Sequence, residues 1–298
     1  MKTWGPVMGG RFLITAIFPL LLVYPGEAAA IAFSDLKLAY EANFDDGTLN
    51  PSVDALGIGA MQIGDTLISG TNPSAVLENG GVTLSITRPS GAPMGPVAVG
   101  AVATPVSFGQ GSIFGLRAVF AQPTGAHDPA DTWAVGLTAR TGAVSDLPAA
   151  LRAAATFQVM GSTARLNTPF ATTPGPVPIS QSEYDAIFAP PDPDPTTFTL
   201  ELLIDRTTGL AYASLTSGAI TLSRSNFMYS AFGSNFGPDI TAFEPGIAVA
   251  SGPDTTASVR LLDFQVFTAP EAPTWAVFGC GIVMLGAGRR AYARKAKA

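Results

Sequence analysis

Thr197–Thr216 reads TFTLELLIDRTTGLAYASLT. Phe198, Leu200, Leu202 and Ile204 alternate with Thr197, Thr199 and Glu201, so one face is apolar and the other polar. Asp205-Arg206-Thr207-Thr208-Gly209 then breaks the run, and Leu210–Thr216 follows. The same period of two recurs elsewhere. Val82, Leu84 and Ile86 alternate with Thr83, Ser85 and Thr87, and Phe114, Leu116, Ala118 and Phe120 with Gly115, Arg117 and Val119. Trp133, Val135 and Leu137 alternate with Ala134, Gly136 and Thr138, and Leu262, Phe264 and Val266 with Asp263 and Gln265. Glu78-Asn79-Gly80-Gly81 and Ser251-Gly252-Pro253-Asp254 supply further turns. Many short strands with such punctuation predict an all-β, antiparallel sandwich or barrel.

One or two short helices are expected. Ser145–Ala155 (SDLPAALRAAA) has a cap residue, an early proline and an alanine run. Ser180-Gln181-Ser182-Glu183 fits a capping box, with Tyr184, Ile187 and Phe188 on one face until Pro190-Pro191. Ala189–Thr196 reads as a proline-stiffened surface loop.

Composition narrows the functional classes. The 298 residues are 47% apolar and only 13% charged, about half the usual charged share. Sixteen Lys+Arg against 22 Asp+Glu give −6. The basic footprint of a nucleic-acid binder is missing, and the apolar share excludes intrinsic disorder. One His and one Cys remove most metal and triad chemistry.

The two ends read as addresses. Lys2 and Arg11 precede an apolar run, Phe12–Val23, and Ala28-Ala29-Ala30 offers small residues for cleavage. Residues 1–30 are therefore expected to be a signal peptide, cut after Ala30 with Ala28 and Ala30 at the cleavage motif. At the other end, Pro270-Glu271-Ala272-Pro273 precedes the uncharged run Trp275–Gly288. Arg289-Arg290, Arg294, Lys295 and Lys297 follow. As a helix the run spans roughly 21 Å against a hydrocarbon core of about 30 Å. Snorkelling arginines close part of that gap and hold the basic end on the cytoplasmic side. Between the addresses, residues 31–268 keep 9 Lys+Arg and 20 Asp+Glu, a charge of −11, and no cysteine. That segment needs a core rather than disulfides, and it is long enough to build one.

The tail (269–298) resembles the PEP-CTERM sorting signal of Gram-negative bacteria that make extracellular polysaccharide. Pro270 and Glu271 match its first two positions; Ala272 stands where the second proline belongs, and Pro273 comes one residue late. The Arg289-Arg290 pair matches its basic cluster. The resemblance implies transient residence in the inner membrane through 275–288, processing by an exosortase-type protease, and release to the cell surface or matrix.

Residues 31–268 resemble the concanavalin A-like lectin/glucanase jelly roll, laminin-G-like domains included. The resemblance rests on Tyr40-Glu41-Ala42-Asn43-Phe44-Asp45-Asp46, Gly111–Phe120, Trp133–Arg140, the Phe198–Thr216 hairpin and Val259–Phe267. It implies that the last of these strands pairs back near the first. Relatives often bind calcium, which makes Asp45 and Asp46 the candidate ligands, though turn formation also explains them. No other cofactor is expected.

A sugar site needs an aromatic platform beside hydrogen-bonding groups on the concave sheet. Trp133, Arg117 and Arg140 lie on strands expected to form it, although the phase of Trp133 also fits the core. Glycosidases need two flanking carboxylates. The nearest run, Glu201-Leu202-Leu203-Ile204-Asp205, offers only two, and Asp205 fits a turn better. His127 sits in a turn-rich loop with no nucleophile elbow to serve. The expectation is thus a non-enzymatic exported sandwich at the surface or in the matrix, binding extracellular polysaccharide. Two alternatives stand beside it: a glycoside hydrolase with a non-standard acid pair, and a ligand-free scaffold.

Overall fold

The computed structural model describes residues 32–269 apart from 67–71, 79, 89–96, 104–106, 109–111, 125–131, 142–151, 161–162, 170, 172–175, 188–196, 219, 228, 230–238 and 252–254. The described residues belong to one unit that begins at Ala32. Both terminal addresses, with Ala28, Ala30, Pro270, Glu271, Pro273, Arg289 and Arg290, lie outside the described residues, as does His127. Among the described residues, no helix is long and apolar enough to cross a membrane.

Two antiparallel sheets face each other, as the alternation predicts. Sheet A runs β14 (Ile220–Phe227), β13 (Leu210–Ser217), β12 (Thr197–Asp205), β7 (Ile113–Thr124), β16 (Thr255–Thr268), β1 (Lys37–Ala42) and β2 (Val53–Asp54). In the same sheet β5 (Val82–Arg88) pairs with the first half of β16, and β4 (Asn72–Leu77) pairs with β5. Sheet B runs β11 (Val177–Pro178), β10 (Thr163–Asn167), β9 (Arg152–Met160), β8 (Thr132–Arg140), β15 (Ala242–Ser251), β6 (Val97–Val102) and β3 (Gln62–Thr66). Phe264–Thr268 of β16 pairs with β1, so among the described residues the last strand returns to the first, as the jelly-roll resemblance implies.

The inward faces are those the period of two selects. Val82, Leu84 and Ile86, Phe114 through Phe120 on alternate positions, and Leu200 and Leu202 are fully buried. Aromatic rings tie the sheets together: Phe157 of sheet B lies 5.4 Å from Phe198 of sheet A, and Phe243 of sheet B lies 5.5 Å from Phe114 of sheet A. Burial of this apolar area is the main drive for the fold. The predicted hairpins close as expected. Glu78 and Gly81 exchange backbone bonds around Gly80 (φ +73°), and the Gly209 N–H donates to Asp205 O at 2.8 Å with Gly209 at φ +78°. These left-handed positions are where glycine costs least.

Two expectations are corrected. The helix over 145–155 does not extend to its end: β9 starts at Arg152, and Ala153 and Ala155 point into the core. Residues 145–151 lie outside the described residues. An alanine run is a good helix former, but here pairing with β8 on one side and β10 on the other overrides propensity. Second, Leu262 is not in the core; Leu261 is. The register of β16 against β7 slips between Leu261 and Asp263, and a bulge there flips the phase of the pleat. The other helix, α1 (Gln181–Ile187), has its expected capping box. Glu183 Oε2 accepts from the Ser180 N–H at 2.8 Å, and Ser180 Oγ accepts from the Glu183 N–H at 3.3 Å.

Candidate functional site

The residues expected to line one sugar site fall in three places. β7 and β8 are consecutive strands of opposite sheets, so Arg117 lies on the outer face of sheet A, whereas Trp133 and Arg140 belong to sheet B. Trp133 is 1% exposed and packs edge-on against Phe157 at 6.1 Å, inside the core. It offers no platform to a ligand. Arg140 faces away from the core yet is also buried. Its Nε donates to Glu244 Oε2 at 3.1 Å, with side chains 0% and 8% exposed. These three residues form no common surface.

The outer face of sheet B is low and small-sided. Gly64, Gly100, Gly246 and Gly136 stand opposite one another on β3, β6, β15 and β8, and Thr156 of β9 continues the row. Gly100 is needed there: a Cβ would come within 2.6 Å of Glu244 Cγ and 2.9 Å of the Pro245 carbonyl oxygen. Its absence lets Glu244 lie flat and reach Arg140. Beyond Thr156, Gln158 Oε1 accepts from Arg165 Nε at 2.8 Å and from Asn167 Nδ2 at 3.1 Å.

The outer face of sheet A carries a different arrangement. Register places Ser214 opposite Glu201, Glu201 opposite Arg117, Arg117 opposite Gln265 and Gln265 opposite Glu41. Each occupies an outward position of its strand, so the side chains form one row across β13, β12, β7, β16 and β1. At about 4.8 Å per strand the row is roughly 19 Å long. It is hydrogen-bonded throughout. Ser214 Oγ donates to Glu201 Oε2 at 2.8 Å; Arg117 Nε and Nη2 donate to Glu201 Oε1 at 2.9 and 2.7 Å. Arg117 Nη1 reaches Gln265 Oε1 at 3.5 Å, Gln265 Nε2 donates to Glu41 Oε1 at 2.7 Å, and Ser52 Oγ donates to Glu41 Oε2 at 2.8 Å.

The centre of the row stays accessible, with the Arg117 and Glu201 side chains 33% and 20% exposed, while Ser214 at its end is buried. Water therefore screens their ion pair, which stabilises the fold by about 1 kcal/mol or less. Aromatic rings frame the guanidinium, with Phe33 at 5.3 Å and Phe267 at 5.0 Å from Arg117 Cζ. Phe33 comes from a 3-10 turn, Phe33–Asp35, and lies on Gly115; a Cβ there would sit 2.5 Å from Phe33 Cε1. Phe33 and Phe267 meet edge to face at 5.5 Å.

Asp263 adjoins the row on β16. Burial first, then the charge of Glu41, lifts its pKa to about 6. Asp45 adds a smaller push in the same direction, and Arg117 opposes it. Asp45 and Asp46 follow β1. Asp46 Oδ1 accepts from the Thr48 N–H and Oγ1 at 2.9 and 2.7 Å, an Asx turn. Among the described residues no group of three His, Cys, Asp or Glu is arranged to hold a metal ion, so the structure adds no further ligands to this candidate calcium pair. Asp205 serves its turn, as expected, through bonds from Thr207 and Thr208.

Glu41, Gln265 and Asp263 escaped the reading of the sequence. Their outward phase was visible in Tyr40-Glu41-Ala42 and Phe264-Gln265-Val266, but only strand register sets them beside Arg117.

No family model matches the chain, and no curated protein matches it. Solved structures do. An endo-1,3-β-glucanase from Streptomyces sioyaensis is 12% identical, with a TM-score of 0.48 over 82% of this chain and 100% of that one. A lectin from Bauhinia forficata in complex with GalNAc is 13% identical, with a TM-score of 0.42 over 71% and 100%. The carbohydrate recognition domain of Emp47p is 14% identical, with a TM-score of 0.40 over 80% and 100%.

Proposed function

We propose that this chain is an exported, non-catalytic β-sandwich that binds extracellular polysaccharide at the cell surface or in the matrix. The observation that carries the reading is the row Ser214–Glu201–Arg117–Gln265–Glu41. It presents planar carboxylate, amide and guanidinium groups at regular strand spacing beside two aromatic rings, a chemistry suited to sugar hydroxyls and C–H faces. The terminal sequences support export, with release through an exosortase-type protease acting near Pro270 and Glu271. A glycan array and polysaccharide co-sedimentation test the binding, with and without calcium. R117A should weaken retention at least about tenfold, since it removes charge-assisted donors worth roughly 1.5–3 kcal/mol, while Tm stays within a few degrees. Retention of no glycan by the wild type would sink the proposal. A surface-fraction product that still contains Arg289-Arg290 would count against cleavage.

A second reading is favoured by one observation. Asp263 and Glu41 are carboxyl groups on neighbouring strands, and burial followed by the charge of Glu41 lifts the Asp263 pKa to about 6. A carboxyl group kept protonated into the mildly acid range by burial suits a general acid. In a glycoside hydrolase Asp263 would be the acid. Reducing-sugar release that disappears in D263N would establish this reading; none from any bound glycan would dismiss it.

A further inference from the structure

β16 changes partners midway. Thr255–Leu261 pairs with β5, and Phe264–Thr268 pairs with β1. The slip against β7 falls at the handover, so Leu261 and Phe264 both enter the core while Leu262 and Asp263 are only partly buried. Asp263 Oδ1 is itself buried, with no hydrogen-bond partner among the described residues.

The charged groups facing Asp263 are mostly of its own sign. β1 contributes Glu41, and the loop after β1 contributes Asp45. β7 contributes Arg117, whose Nε and Nη2 are directed to Glu201. β5 begins opposite Leu261, and its charged residue, Arg88, stands at the far end opposite Thr255. On β16 itself, Arg260 Nη2 donates to the Glu78 carbonyl at 3.0 Å, and Gln265 donates to Glu41. Asp45 also approaches the β4–β5 turn, 3.9 Å from where a Cβ on Gly80 would lie. Asp263 and Glu41 thus lie on neighbouring strands where one partner strand leaves the sheet position and another takes it.

We propose that this seam is a proton-operated latch. A proton taken from solvent by Asp263 lets its carboxyl donate to the Glu41 carboxylate, which ties β1 to β16. Loss of the proton replaces that bond with repulsion. The inference does not depend on what the protein binds. The Asp263 pKa of about 6 places the latch in the mildly acid range. A carboxyl group raised above its unfolded value of about 3.9 stabilises the fold more as pH falls through the folded value. The gain is complete near the unfolded value and is lost again as pH rises past 6.

Thermal unfolding of the full-length chain in neutral detergent tests this between pH 7.5 and 5.5, with chelator present. Wild type should gain about 3 °C on acidification, a modest shift for a domain of this size. D263N keeps the shape and an N–H donor without the charge, so its Tm should be flat over that range and match or exceed acid wild type. Carbon-13 NMR of the aspartate carboxyls gives an independent readout: the Asp263 midpoint should lie near 6 and fall in E41Q. Equal pH slopes in wild type and D263N, or an Asp263 midpoint unmoved by E41Q, would overturn the latch.

Discussion

E244Q probes a charge pair almost without water. Glu244 Oε2 receives the Arg140 Nε–H at 3.1 Å, and neither side chain is more than 8% exposed. Glutamine has the same length, so the flat path over Gly100 survives and only the countercharge is lost. Removing one partner of a buried pair typically costs about 3–5 kcal/mol, because the other charge stays in low dielectric. The lower end applies, since Arg140 keeps further interactions. At about 2–4 °C per kcal/mol for this domain size, Tm should fall by roughly 10 °C. The double variant R140M/E244L removes both charges and keeps apolar bulk. It should lie within about 1 kcal/mol of wild type, or above it. Differential scanning calorimetry of all variants at pH 7 provides the measurement. An E244Q midpoint within 1–2 °C of wild type would refute the reasoning, as would a double variant no better than the single one.

Two further outcomes follow from the fold. L261A should cost about 2–5 kcal/mol in urea unfolding and L262A about 1 or less, because only Leu261 fills the core; equal costs would remove the bulge. D205A should cost about 1–2 kcal/mol through its lost turn bonds. Burial raises the Asp205 pKa, but the bonds from Thr207 and Thr208 outweigh it and hold it below its ordinary value. Its contribution is therefore present above the unfolded pKa of about 3.9 and lost as pH falls through the folded one. Acid denaturation of D205A should be less steep than that of wild type below pH 4.

Much of the fold was legible because one face of each strand must meet the core. Phe198, Leu200, Leu202 and Ile204 declare their orientation without any knowledge of the neighbouring strand. Trp133 was legible for the same reason, since its phase placed it in the core. The phase of Leu262 misled, because a bulge adds a residue that pattern alone does not register. The alanines before Phe157 misled because their small side chains serve helix and strand equally well. Arg140 read as an outward polar group, and its burial depends on packing over that part of sheet B, which local alternation does not report.

The sequence by itself determined the class of fold, the inward face of most strands and the two hairpin turns at Gly80 and Gly209. Each follows from interactions within a few residues: alternation, propensity and left-handed glycines. The tertiary structure alone decided which polar groups meet. Glu41 and Gln265 are 224 positions apart, and Arg117 and Glu201 are 84 apart, yet they touch across neighbouring strands. Strand order and register bring such groups together, and those are set by how the whole core closes rather than by any local stretch.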